Sequence, residues 1–189
     1  MNSDKIKVIA MDLDGTLTQH KQHMSEDCRQ TLINLSKRYK LMMVGAGQVY
    51  RIFNQMERFP IDIIGNYGLQ YAKYNPETQD LDIIRDDTFP CDREKTEAIV
   101  TSFREKYGFT QYAGDNVEYH PSGCITFPVL GTKAQQADKL AFDPDRSKRR
   151  KIYNEVVEAF SDYCVFVGGS SSFDMAPKPY NKYYALDLY

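Results

Sequence analysis

The sequence predicts an α/β fold, a doubly wound parallel sheet interrupted by an inserted α+β segment. Two observations predict it. Residues 1–75 alternate short apolar runs with amphipathic stretches, each run closing in a turn of glycine, asparagine or aspartate. From Pro76 the pattern changes to helices separated by pairs of short strands, until Pro177 and Pro179 mark its end.

The elements follow in order. Lys7 to Met11 is a continuously apolar strand, and continuous rather than alternating hydrophobicity predicts burial on both faces. Ser25 is placed to cap a helix, with Glu26 and Asp27 in its first turn near the positive end of the dipole. Cys28, Leu32, Leu35 and Tyr39 then fall on one face. Leu41 to Val44 is a second strand, closed by Gly45-Ala46-Gly47, and Gln48 to Phe59 a second helix. Ile61 to Ile64 is a third strand, closed by Gly65-Asn66-Tyr67-Gly68, which completes β-α-β-α-β. Leu69 to Tyr74 and Leu81 to Arg85 are strands joined by the turn Asn75-Pro76-Glu77-Thr78. A helix over 92–107, strands over 117–120 and 123–127, a helix over 145–161, and strands over 164–167 and 171–175 follow. The expected division is 1–75 and 179–189 for the core and 76–178 for the insertion. Asn181 to Tyr189 reads as the opening turns of a helix, so the parallel sheet is expected to be incomplete at its later strands.

Composition narrows the partners. A net charge of −2 offers no broad basic face, so neither nucleic acid nor an anionic membrane surface is expected. The basic run 146–151 reads as the solvated start of a helix. Cys28, Cys91, Cys124 and Cys164 are widely spaced, with no C-x-x-C pair, which argues against zinc or a disulfide framework. The first ten residues lack the apolar core of a signal peptide. No apolar run approaches the roughly 18–20 residues of a membrane span. A cytoplasmic protein is expected.

The informative stretch is "MDLDGTLT", Met11 to Thr18. In extended backbone, residues i and i+2 point the same way. Asp12 and Asp14 thus leave the carboxyl end of the first strand together, at the edge where open α/β sheets bind ligands. Gly15 allows the chain to turn sharply there. Two neighbouring carboxylates repel unless a cation or a shared proton lies between them. A hard cation such as Mg²⁺ takes oxygen ligands and tolerates substrate phosphate beside them. One carboxylate is suited to attack phosphorus and the other to manage the proton of the leaving oxygen.

The pattern D-x-D-G-T-[LV] in "MDLDGTLT" resembles the first motif of the haloacid dehalogenase (HAD) superfamily of phosphotransferases. "VGAGQ" stands where that superfamily has its second motif, and "GNYGLQYAKY" resembles the entry to a large α/β cap. "GGSSSFDMAPKPYNKYYAL" is similar to the phosphomannomutase stretch that closes the cap and carries the third-motif lysine. The resemblance implies a HAD-like Rossmannoid core, 1–75 and 179–189, with a cap over 76–178 that sets substrate choice. It implies Asp12 as nucleophile and Asp14 as general acid and base. Mg²⁺ would be held by the Asp12 carboxylate and the Asp14 main-chain carbonyl, with Lys182 beside Asp12 and the phosphoryl oxygens. Ser172 and Asp174 match cap positions that meet a sugar phosphate, and dimers through the cap are a family habit, so a homodimer is possible.

The sequence also departs from the pattern. The second-motif hydroxyl is replaced by Gly47 and Gln48, so main-chain N–H groups and the Gln48 amide are expected to bind phosphate. The cap arginines are replaced by His120, Thr132 and Lys139, with Lys133 nearby; lysine is not an equivalent of a bidentate arginine fork. The acidic fourth motif does not occur before Tyr189, so weak metal binding is expected of the chain as given. The leading expectation is a Mg²⁺-dependent phosphohydrolase acting on a phosphorylated sugar or similar small metabolite through an aspartyl-phosphate. The alternatives are a phosphomannomutase and a non-catalytic binding protein of the same fold.

Overall fold

The structure is a computed structural model that describes residues 6–18 and 22–189. It forms two compact units: Met1–Asp87 with Tyr180–Tyr189, and Thr88–Pro179.

The first unit is a five-stranded sheet in the order β1-β2-β3-β4-β5, with β1 Val8–Met11, β2 Lys40–Val44, β3 Asp62–Gly65, β4 Gln70–Asn75 and β5 Asp80–Asp86. β1, β2 and β3 are parallel, and β4 and β5 are antiparallel additions. The parallel strands are connected by α1 Glu26–Ser36 and α2 Val49–Gln55. Ser25 caps α1 by accepting the Cys28 amide, as its sequence position predicts. Leu32, Ile52, Phe53 and Met56 join Met43 and Ile63 of the sheet in one core. On the other face Met42, Val44 and Ile64 meet Ala185 of α6 Lys182–Asp187.

Three expectations change here. β1 is not buried on both faces: it lies at the sheet edge, and Val8 is 39% exposed. α2 stops at Gln55 rather than Phe59, because Glu57 and Arg58 take φ of 52° and 53° and fold the chain back. The sequence reading puts the unit boundary at 75/76. The Asn75 side chain instead accepts the Glu77 amide at 2.9 Å, an Asx-turn that returns β5 along β4 and carries the first unit to Asp87.

The second unit is an antiparallel sheet, β6-β7-β9-β8, with β6 Glu118–Tyr119, β7 Ile125–Pro128, β8 Tyr163–Gly168 and β9 Ser172–Pro177. Its helices are α3 Arg93–Tyr107, α4 Gln136–Phe142 and α5 Ser147–Ala159. Asp92 caps α3 at one end, and Gly108 in the left-handed conformation closes the other. The core joins Val100, Phe127, Val156, Phe173 and Met175.

Two arginines lie inside this unit. Arg104 donates to the carbonyls of Phe109, Pro128 and Val129, tying the segment after α3 to the end of β7. Arg149 corrects the solvated reading of the basic run: it is fully buried. Its Nε lies 2.8 Å from Asp143 Oδ2, and its Nη1 donates to the carbonyls of Gly168 and Ser172. The other basic residues of the run remain exposed. Among the described residues no helix is long and apolar enough to cross a membrane.

Candidate active site

The candidate site lies in the first unit, at the carboxyl ends of β1, β2 and β3. The chain leaves β1 at Asp12 and turns at once. The amides of Thr16, Leu17 and Thr18 all point to the Leu13 carbonyl, and Gly15 sits at φ +80° with its N–H on the Thr18 carbonyl at 2.8 Å. Leu13 is buried beneath this turn. The buried leucine holds the loop down, and the two aspartates flank it.

Asp12 and Lys182 meet: Lys182 Nζ lies 2.6 Å from Asp12 Oδ2, with the side chains 38% and 37% exposed respectively. The other Asp12 oxygen accepts the Leu13 amide at 2.9 Å. Lys182 opens α6, capped by Asn181, whose side chain accepts the Tyr184 amide. The helix is docked by Ala185 against Gly68, where any Cβ would come within 2.6 Å. Tyr180 Oη donates to Asp87 at 2.7 Å and secures the approach to α6. Burial and that acceptor push the Tyr180 hydroxyl up to about 12.

Asp14 faces α2. Arg51 Nη2 lies 3.0 Å from Oδ2, and Gln55 Nε2 lies 2.9 Å from Oδ1. Arg51 and Gln55 are one helical turn apart and bond to each other at 2.8 Å. Gln55 also donates to Thr18 Oγ1 at 3.0 Å, so one side chain spans the turn from Asp14 to Thr18. Arg51, Gln55 and Thr18 were not singled out from the sequence. The available signal was an arginine and a glutamine at i and i+4, on a helix that follows a glycine lacking the expected hydroxyl.

Gln48 immediately precedes α2, with Gly47 before it. The Val49 amide, first in α2, is taken by Gln70 Oε1 at 3.1 Å, and α2 has only seven residues. The Gly47 carbonyl accepts the Asn66 amide at 2.8 Å. Gln48 is exposed, and its side chain makes no capping bond.

The expected substrate-binding residues belong to the second unit. Ser172 and Asp174 are neighbours on one face of β9, with Ser172 Oγ 3.2 Å from Asp174 Oδ1. Thr126, opposite Asp174 on β7, donates to the same oxygen at 3.2 Å, and His120 Nε2 lies 3.3 Å from Thr126 Oγ1. These four form one polar chain, of which Thr126 was missed. Lys133 and Lys139 do not join it: Lys133 is exposed, and Lys139 donates to the Thr132 carbonyl at 3.1 Å.

Asp12 and Asp14 supply oxygen donors, the kind a hard cation takes. Both Asp14 carboxylate oxygens are held by Arg51 and Gln55, which directs a metal role for that residue to its main-chain carbonyl. Among the described residues no group of three or more His, Cys, Asp or Glu side chains is placed to hold a metal.

No family model matches the chain. It is 23% identical over 192 residues to the phosphomannomutase of Saccharomyces cerevisiae, covering 95% of this chain and 73% of that protein. Among solved structures it is similar to a phosphatase of the HAD enzyme superfamily from Bacteroides thetaiotaomicron. That match has a TM-score of 0.60 and 15% identity, over 99% of this chain and 72% of the other. It is also similar to a haloacid dehalogenase-like hydrolase from B. subtilis, with a TM-score of 0.61 and 14% identity, over 97% and 77%.

Proposed function

From a chain with the HAD-like fold and a phosphomannomutase-like sequence, we propose a phosphohydrolase that acts on a phosphorylated sugar or similar small metabolite. The observation that carries it is the Asp12–Lys182 pair at 2.6 Å, more than a third exposed, at the ligand-binding edge of the parallel strands. Asp12 is the nucleophile. One of its carboxylate oxygens bonds to phosphorus as the bond to the leaving oxygen breaks, giving an aspartyl-phosphate. Asp14 gives a proton to the leaving oxygen, then takes one from the water that attacks the phosphorus and frees Asp12 and inorganic phosphate. Lys182 orients the nucleophile and offsets the charge of the phosphoryl oxygens. Mg²⁺, held by the Asp12 carboxylate and the Asp14 carbonyl with substrate and water oxygens, would supply further charge neutralisation. The second unit is the cap, in which the Ser172–Asp174–Thr126–His120 chain meets the sugar.

The test is phosphate release from hexose phosphates and p-nitrophenyl phosphate in Mg²⁺ buffer. Asp12→Asn keeps the fold and lowers turnover about 10³-fold or more, because no second carboxylate takes over bond formation. Unchanged turnover in that variant ends this reading. The sequence likeness to phosphomannomutases favours a second one, transfer of phosphate between C1 and C6 of a hexose. Product analysis separates the two: a mutase requires a hexose bisphosphate activator and releases little free phosphate. A protein that binds hexose phosphate and turns nothing over is the non-catalytic alternative.

A further inference from the structure

We infer that the Arg51 guanidinium is the phosphoryl-binding group of this site, standing in the place of the hydroxyl that the second motif lacks. The inference deepens the proposed phosphohydrolase and rests on it.

Gly47 is the first observation. Its φ lies outside the left-handed region, so the backbone does not require glycine there. Space does. A Cβ at this position would collide with Nη2 and Nε of Arg51. The volume in which a serine or threonine hydroxyl would sit is filled by the guanidinium. The glycine makes the room and the arginine uses it.

The guanidinium is also held in place. Asp14 accepts from Nη2 and Gln55 from Nη1, which fixes the plane of the fork from one side. No described residue accepts from Nε, and the side chain is 39% exposed, so the fork keeps donors for an arriving anion. Two parallel N–H donors match two oxygens of a phosphoryl group, which a single hydroxyl does not. One neighbouring donor, the Val49 amide, is taken by Gln70.

Charge points the same way. A phosphate monoester must approach two carboxylates. Lys182 faces Asp12 and Arg51 faces Asp14, so each acid meets one base and the anion is not repelled by an uncompensated pair. The ligand class is a tetrahedral oxyanion, read here with inorganic phosphate.

The experiment titrates inorganic phosphate into chelator-treated protein by calorimetry and ³¹P NMR, with thermal melts to confirm folding. Arg51→Ala weakens phosphate binding at least tenfold, and Arg51→Lys, which keeps the charge and loses the fork, falls between. Gly47→Ser in the presence of Arg51 also weakens binding, because its Cβ displaces the guanidinium. In the Gly47→Ser/Arg51→Ala pair the new hydroxyl has room, and binding recovers above that of Arg51→Ala alone. A merely structural role for Arg51 predicts no such recovery. Phosphate binding unchanged in Arg51→Ala, binding as tight as wild type in Gly47→Ser, or no phosphate binding by the wild-type protein each overturns the inference. The reaction is read separately through Asp12→Asn. Turnover that dies with Asp12, beside phosphate binding indifferent to Arg51, sinks the anion site and leaves the hydrolase. Binding that dies with Arg51, beside turnover indifferent to Asp12, does the reverse.

Discussion

The two units contain the same chemical pair, an aspartate against an arginine, in opposite circumstances. Asp143 and Arg149 in the second unit have no solvent exposure at either side chain, and carbonyls of the β8–β9 hairpin take further arginine donors. Asp14 and Arg51 in the first unit are 22% and 39% exposed, and Asp12 and Lys182 are 37% and 38% exposed. A buried pair cannot exchange partners without stranding a charge. An exposed pair loses little on opening, because water replaces each partner. The inner pair is therefore suited to hold a hairpin in register, and the outer pairs to receive an anion.

The largest expected effect comes from breaking the inner pair on one side only. Arg149→Met leaves Asp143 buried without its cation and destabilises the protein by about 3–5 kcal/mol. Urea unfolding followed by circular dichroism measures it. Adding Asp143→Leu recovers most of the loss, because the pair is then replaced by apolar packing. A single variant as stable as wild type would mean that the two pairs are not different in kind. Acid is a second way to break it. Burial alone would raise the Asp143 carboxyl, but hydrogen bonds from Arg149 and from the Lys148 and Arg149 amides outweigh it and hold the group below its ordinary 3.8. A carboxyl lowered in the folded state contributes stability that is complete above 3.8 and disappears as pH falls through the folded value. Melts between about pH 5 and about pH 2 should show the second unit losing stability toward the acid end. Asp143→Leu/Arg149→Met should show a shallower fall.

Lys182→Met is the next step down, and it moves a different quantity. The pair with Asp12 is exposed, so stability should change by less than about 1 kcal/mol. Turnover should fall about 10²-fold, because a charge aimed at the phosphoryl oxygens is removed. Steady-state phosphate release and a thermal melt on the same samples separate the two readouts. A large loss of stability with unaltered turnover would make this pair a structural one like the inner pair.

This contrast also explains what was legible in the sequence. The β-α-β-α-β order, the Ser25 cap and the sharp turn at Gly15 were readable because each depends on residues close in the chain. The meeting of Asp12 with Lys182 depends on tertiary folding across nearly the whole chain, and only the resemblance suggested it. α4 was missed because none of its residues is buried and no side chain caps it, so it leaves no apolar period to read. β4 and β5 were both read as strands, but β5 was placed in the insertion, since alternation does not reveal which sheet a strand joins. Arg149 was hidden in a basic run. Its signal was helical spacing: Arg149, Ile152 and Val156 fall at i, i+3 and i+7, and all three are buried. Arg51 is hidden from a reading of the second motif because the group that fills the space at Gly47 is carried four residues further along the chain.

The smallest expected effect tests the middle ground between the two kinds of pair. In the second unit Asp174 accepts from Ser172 and Thr126, and His120 lies beyond Thr126. This chain is half-buried, and Gly168 lets Asp174 approach so closely that any Cβ there would collide with its carboxylate. Thr126→Val keeps the shape and deletes the central hydroxyl. A neutral hydrogen bond of this kind contributes about 1 kcal/mol, so the melting temperature should drop by a few degrees at most. If the chain also meets the sugar, KM for a hexose phosphate rises about 2–5-fold while kcat holds, the mark of a contact made equally in ground and transition states. For p-nitrophenyl phosphate, which has no sugar, neither constant should move. A change for both substrates would assign Thr126 to the stability of its unit. A change confined to the sugar substrate would put the chain among the groups that bind substrate.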